Sequence, residues 1–130
     1  MKRKKSPMEL GKRERQIMTF VYRRGETTAA EVLEGISNAP GYSGVRAMLR
    51  ILEEKGYLRH EKRGNRYVYI PTQSSDEAGQ SAMQYTVQSF YGGSARRAMA
   101  ALMSLDSGDW TEDELNRFEQ IIEQARREGK

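Results

Sequence analysis

Two clusters of cationic side chains in this 130-residue sequence are spaced as if to grip something negatively charged. In the first, Ser43, Arg46, Ala47 and Arg50 follow helical spacing, and no acid shares that side. Glu53 and Glu54 arrive only at its far end. In the second, Lys62, Arg63, Asn65 and Arg66 surround Gly64. A guanidinium presents a planar fork of donors that fits a phosphate or the edge of a guanine, whereas an ammonium meets phosphate as a point charge. The Ser43 hydroxyl and the Asn65 amide add neutral hydrogen-bonding capacity. A third run, Lys2-Arg3-Lys4-Lys5, precedes Ser6-Pro7. The chemistry in reach is recognition of a polyanion.

Bond-making chemistry finds little material. There is no cysteine, so disulfides, thiolate metal sites and thiol catalysis are excluded, and the lone His60 cannot supply a histidine cluster or a nucleophile–base pair. No glycine-rich phosphate loop is present, and no metal or cofactor is expected. The acids Asp109, Glu112, Asp113 and Glu114 read as charges complementing the positive end of a helix. No apolar run approaches the roughly 20 residues that span a bilayer. The basic opening lacks the apolar stretch of a secretory leader, so a soluble cytoplasmic protein without membrane insertion is expected.

The charge is unevenly distributed. Residues 1–73 carry 16 basic against 8 acidic side chains, and residues 74–130 carry 6 against 10. Such a division points to one polyanion-binding module joined to a module with another task.

The elements that must hold the cations can be read from pattern. Residues 1–9 read as a basic, flexible arm. Ile17, Phe20 and Val21, with Met18, give a first helix over about 12–24 that stops at Gly25. Thr28 and Glu31 form a capping box that opens a second helix, which ends before Asn38-Ala-Pro40-Gly41. The third helix runs from about Ser43 to Lys55. Val45, Met48, Leu49 and Leu52 form its core stripe, leaving the arginine side outward. Tyr57–Glu61 and Tyr67–Ile70 are β-rich runs flanking Lys62–Arg66, which makes a hairpin with a basic tip. Three helices and a basic-tipped hairpin over 10–73 describe a winged helix-turn-helix, whose third helix enters a major groove while the wing follows the backbone.

The second half, 74–130, reads as three helices. Ser74 and Glu77 cap the first, which carries Ala82, Met83, Val87 and Phe90 along one side and breaks at Gly92-Gly93. The next, to about Leu105, carries Ala98, Met99, Leu102 and Met103. In the last, Thr111 and Glu114 form the cap, Trp110 and Leu115 are placed as a hydrophobic staple, and Leu115, Phe118, Ile121 and Ile122 line one face. Fewer than 60 residues of such helices make a poor core alone. Their faces, notably Met83, Val87, Phe90, Met99, Leu102, Trp110, Leu115, Phe118 and Ile122, are expected to meet a second copy. The fold class is therefore mainly α with a small β-hairpin, a winged helix-turn-helix followed by a three-helix dimerisation segment.

Three segments resemble the penicillinase and methicillin-resistance repressors, the BlaI/MecI family. Leu10-Gly-Lys-Arg-Glu14 with Ile17-Met18 is similar to that family's opening helix. Tyr42-Ser-Gly-Val-Arg46 through Leu49, Leu52 and Lys55-Gly56 resembles its recognition helix. Arg63-Gly-Asn-Arg-Tyr67-Val-Tyr69 with Pro71 resembles its wing. The Phe90-Tyr-Gly-Gly-Ser94 break and Trp110–Leu115 fit its dimerisation region. The resemblance implies a homodimer on a palindromic double-stranded DNA operator, repressing the adjacent genes. It also implies release by proteolysis at an Asn-Phe pair, but the corresponding stretch near Ala101-Leu102 holds no such pair. The cysteine cluster of copper-responsive relatives is absent too. Gly44 and Ala47 stand where the family usually has Thr, and Ile51 where it usually has Arg, so a different target sequence is implied.

On this reading Arg46 and Ser43 reach base edges, while Tyr42 and Arg50 hold backbone or flanking positions. Lys62, Arg63, Asn65 and Arg66 track phosphates, and Lys4 and Lys5 of the arm follow the minor groove or backbone. The competing reading is a winged-helix adaptor whose basic face meets an acidic protein, with only non-specific affinity for DNA.

Overall fold

A computed structural model describes residues 6–105 and 108–129. Among these the chain forms α1 (Lys12–Arg24), α2 (Ala29–Gly35), α3 (Tyr42–Glu54), the strands β1 (Leu58–Arg63) and β2 (Arg66–Pro71), then α4 (Ser75–Phe90), α5 (Ala95–Leu105) and α6 (Glu112–Arg127). The contacts divide into two compact units, one within Met1–Gly92 and the other within Gly93–Lys130. The architecture is mainly helical with one small hairpin, as expected from the sequence. Single-chain contacts, however, group α4 with the first unit.

The first unit is built on three apolar stripes. Ile17, Met18 and Val21 of α1, Val32 of α2, and Val45, Leu49 and Leu52 of α3 are fully buried, and Leu58 from β1 joins them. Complete burial of each such side chain contributes on the order of 1.5–3 kcal/mol. Local signals set where these helices begin and end. Thr28 Oγ1 accepts from the Glu31 N–H at 3.2 Å, and the Glu31 carboxylate accepts from the Thr28 N–H at 2.9 Å. At α1 the Glu14 carboxylate accepts from the Gly11 N–H (3.2 Å) and from Lys55 Nζ (2.8 Å), tying the start of α1 to the end of α3. That partnership with Lys55, with the Gly11 N–H assisting, holds the Glu14 carboxyl below its ordinary value against the opposing effect of burial. Gly25 ends α1 at φ +87°, a conformation that costs a side chain dearly.

The hairpin extends further than its apolar alternation suggests. β1 and β2 pair antiparallel from Leu58↔Pro71 to Arg63↔Arg66, so Lys62, Arg63 and Arg66 are strand residues and only Gly64-Asn65 turns. Gly64 takes φ +63° while Asn65 does not take a positive φ, the pattern of a two-residue turn with glycine first. A third strand rung escaped the sequence pattern altogether. Thr27 pairs with Tyr69 through two backbone hydrogen bonds of 3.0 and 2.7 Å.

Residues 6–9 also depart from the expected free arm. Ser6 and Glu9 form a capping box around a single 3-10 turn, Pro7–Glu9, and Ser6 is buried. The Tyr57 hydroxyl donates to the Ser6 carbonyl at 3.0 Å. Met1–Lys5, including Lys4 and Lys5, lie outside the described residues.

α4 opens with the expected Ser74–Glu77 box (2.9 and 3.0 Å) and buries Ala78 and Ser81, packing against the 3-10 turn. Met83 and Phe90 are exposed on it and Val87 is half-buried. Within the second unit, α6 starts at the Thr111–Glu114 box (2.9 and 3.1 Å). The Trp110 ring meets the edge of Phe118 at 5.1 Å between centroids. α6 buries none of its residues, and Ala98 is the buried residue of α5. Met99, Leu102, Leu115, Phe118 and Ile122 are exposed and Trp110 is half-buried.

Candidate nucleic-acid interface

The hairpin register sorts the wing into two faces, because successive side chains on a strand alternate. His60, Lys62, Tyr67 and Tyr69 lie on the face with Leu58; Glu61, Arg63, Arg66 and Val68 lie on the other. The first face looks across a groove of about 420 Å³ at α3. Its lining includes Tyr42 and Arg46 from α3, Thr28 and Ala29 at the start of α2, Lys62 and Tyr67 from that face of the wing, and Asn65 and Arg66 at the tip, where Arg66 also borders the opposite face. Of the sequence-predicted residues, Tyr42, Arg46, Lys62, Asn65 and Arg66 line this one concave surface, whereas Ser43, Arg50 and Arg63 do not line it.

Each occupies a position suited to contact. Tyr42 is half exposed, at 50 %, and the Arg46 guanidinium sits 6.0 Å from the centre of its ring. That contact aims the arginine without neutralising it. Ser43 and Arg50 are exposed on the same side of α3, with Ile51 exposed beside Arg50. Ala47, between Arg46 and Arg50, is half-buried. Gly44 is packed against the preceding loop: a Cβ there would meet the Pro40 Cβ at 2.8 Å, so the first turn of α3 admits no larger residue without movement of Pro40.

The charge balance of this surface depends on which acids are already partnered. Glu53, at the end of α3, holds His60 Nδ1 at 2.7 Å. His60 in turn packs on the rings of Tyr67 (4.7 Å) and Tyr69 (5.9 Å). Burial first, and Glu53 second, push the Tyr69 phenol up, so it stays protonated at neutral pH. Glu31 pairs with Arg24 at 2.7 Å. Among the described residues Arg46, Arg50, Lys62 and Arg66 make no ion pair, and all four are exposed. Four uncompensated cations therefore face outward from α3 and the wing.

Arg63 is different. It was grouped with the phosphate-tracking cations, yet its guanidinium is held by Glu26 at 2.6 and 3.2 Å and by Glu61 at 3.0 and 3.2 Å. Those two carboxylates push its ionisation further up. Sequence reasoning missed the Glu26 and Glu53 partnerships. Glu26 lies 37 positions from Arg63, and the Thr27–Tyr69 rung, with the packing of α1 and α2 on β2, brings the two segments together. No local pattern announces it.

Among the described residues no helix is long and apolar enough to cross a membrane. The curated penicillinase repressor of Bacillus licheniformis is 25 % identical over 129 residues, covering 98 % of each chain. The solution structure of the DNA-binding domain of the repressor BlaI aligns at 26 % identity over 58 % of this chain and 93 % of that one, with a TM-score of 0.48. A mutant MarR from E. coli complexed with operator DNA shares the fold at 14 % identity, over 92 % of this chain and 77 % of that one, with a TM-score of 0.50. The profile of the penicillinase repressor family matches residues 10–124, nearly the whole chain, and the chain belongs to that family.

Proposed function

We propose that this protein is a sequence-specific DNA-binding transcriptional repressor, acting in the cytoplasm as a homodimer on a palindromic operator. The observation that carries the reading is the set of four unpaired cations, Arg46 and Arg50 on α3 and Lys62 and Arg66 on the wing, beside acids that are already partnered. Such a surface attracts a polyanion without internal competition. Family membership and the repressor name of the Bacillus licheniformis relative support it.

In the proposed complex α3 lies in the major groove, with Arg46 and Ser43 at base edges and Tyr42 and Arg50 at the flanking backbone. An arginine is suited to a bidentate contact with guanine O6 and N7. Lys62, Asn65 and Arg66 follow phosphates alongside, and Lys4 and Lys5 extend the basic footprint. Dimerisation uses the exposed apolar faces of α4, α5 and α6, and two wings then address two half-sites. Repression is steric, by occupancy of the operator. The membership supports no release signal, since the sequence holds no Asn-Phe pair.

The test is binding to fragments that include the gene's own upstream region, across a salt series. The expected result is selection over random duplex by about 10³-fold or more, weakening steeply with salt. Weak binding, equal for every fragment, would replace the repressor with an adaptor for an acidic protein.

A further inference from the structure

We infer that Arg63 is a positioning residue that fastens the wing to the body of the domain through Glu26, and that the phosphate contacts of the wing belong to Lys62 and Arg66. The inference rests on the DNA-binding reading above and refines which wing residues do what. The evidence is geometric. Arg63 makes a forked, two-bond contact with Glu26, on the turn between α1 and α2, and a second with Glu61 on its own strand. Glu61 is also bonded by Arg59 at 2.9 Å. An arginine fork engaged by two carboxylates has few donors left for a phosphate.

The contact sits where it restrains the wing tip. Arg63 pairs with Arg66 at the last rung before Gly64-Asn65, while the Thr27–Tyr69 rung grips the hairpin three residues further back. Towards the tip from that rung, residues 62–67 are exposed, and the Arg63–Glu26 fork ties down this outer end. On the opposite face the His60–Glu53 contact joins the wing to α3. The hairpin is thereby held from both sides, with Lys62 and Arg66 left to face solvent. A preset wing loses less conformational freedom when it meets a backbone, and this sets affinity without any contact of its own.

Substitution of Glu26 distinguishes a fastening role from a direct contact by the sign of its effect. If Arg63 fastens the wing, Glu26→Gln weakens operator binding by about two- to fivefold, the range that an exposed ion pair of this kind supports. The salt slope stays as in the wild type, because no phosphate contact is lost. The charge-exchanged protein, Glu26→Arg with Arg63→Glu, recovers affinity relative to either single variant. If Glu26 instead competes with DNA for Arg63, Glu26→Gln tightens binding and steepens the salt slope, and the inference is overturned. Unaltered affinity in that variant overturns it as well. Hydrogen exchange on the free, full-length protein provides a readout that needs no DNA: amides of residues 62–67 should exchange faster in Glu26→Gln. Equal exchange there would sink the fastening role. Failure of the wild type to select any fragment would refute the repressor reading and leave the exchange result standing.

Discussion

The unit that carries the cations closes on itself, and the unit that follows does not. In the first, α1, α2 and α3 each contribute fully buried side chains, and β1 seals them with Leu58. In the second, α6 buries nothing, although it repeats an apolar residue every third or fourth position, and Leu105 at the end of α5 is 82 % exposed. Apolar periodicity is equally clear in both, so periodicity alone does not say whether a face is satisfied within its own chain. The lesson is about supply: a stripe needs facing stripes, and only the first unit provides them. In the proposed dimer, the exposed apolar side chains of α5 and α6, among them Met99, Leu102, Leu115, Phe118 and Ile122, are what a second copy covers.

The sharpest way to break this contrast is to cut into each unit. Leu49→Ala in the core of α3 should cost about 2–5 kcal/mol in urea unfolding of the first unit. Loss of less than that would mean the core is looser than its burial implies. Ile122→Asp on α6 should leave that unfolding transition in place yet halve the mass seen in sedimentation. Operator affinity should then fall on the order of a hundredfold through lost bivalency. A variant that stays dimeric would remove α6 from the interface.

Within the first unit the contrast can be sharpened further. Arg46→Ala should weaken the operator complex by about 1–3 kcal/mol while leaving binding to random duplex nearly unaltered. An equal loss on both would make Arg46 a phosphate contact. Lys62→Ala should instead weaken binding to every duplex alike and lower the salt slope by about one.

The smallest effect concerns acid. Glu14 is held below its ordinary value of 4.5, mainly by Lys55. Its contribution to stability is complete above that value and disappears as pH falls through the lower folded one. Thermal unfolding followed from pH 7 to pH 3 should therefore show an acid decline that Glu14→Gln partly flattens, from a lower starting point at neutral pH. Parallel declines in the two proteins would show that Glu14 does not contribute.

Much of the fold was legible because its punctuation is local. The boxes at Thr28, Ser74 and Thr111 each join residues three apart, so their meaning is complete within one turn. The same pattern at Ser6 and Glu9 went unread because the four basic residues ahead of it suggested an arm, although Pro7 is a good first helical residue. The cationic surface was legible in its membership and not in its state. Arg46 and Arg66 stay unpaired, whereas Arg63 is claimed by Glu26, and that depends on a strand rung at Thr27 that no alternation reveals. Hydrophobic period marks which side of an element turns inward; it carries no information about which distant carboxylate lies alongside.

The packing of Gly44 against Pro40 bears on how such a protein acquires a new target. A Cβ at position 44 would lie 2.8 Å from the Pro40 Cβ. A threonine there, the residue the family resemblance would suggest, has no room while the proline stays. Retargeting at this point of α3 is therefore a two-step mutational path in which position 40 changes before position 44, because the reverse order passes through a strained intermediate. Libraries that randomise α3 alone will recover glycine at position 44. Libraries that randomise both positions together reach combinations that randomising α3 alone does not.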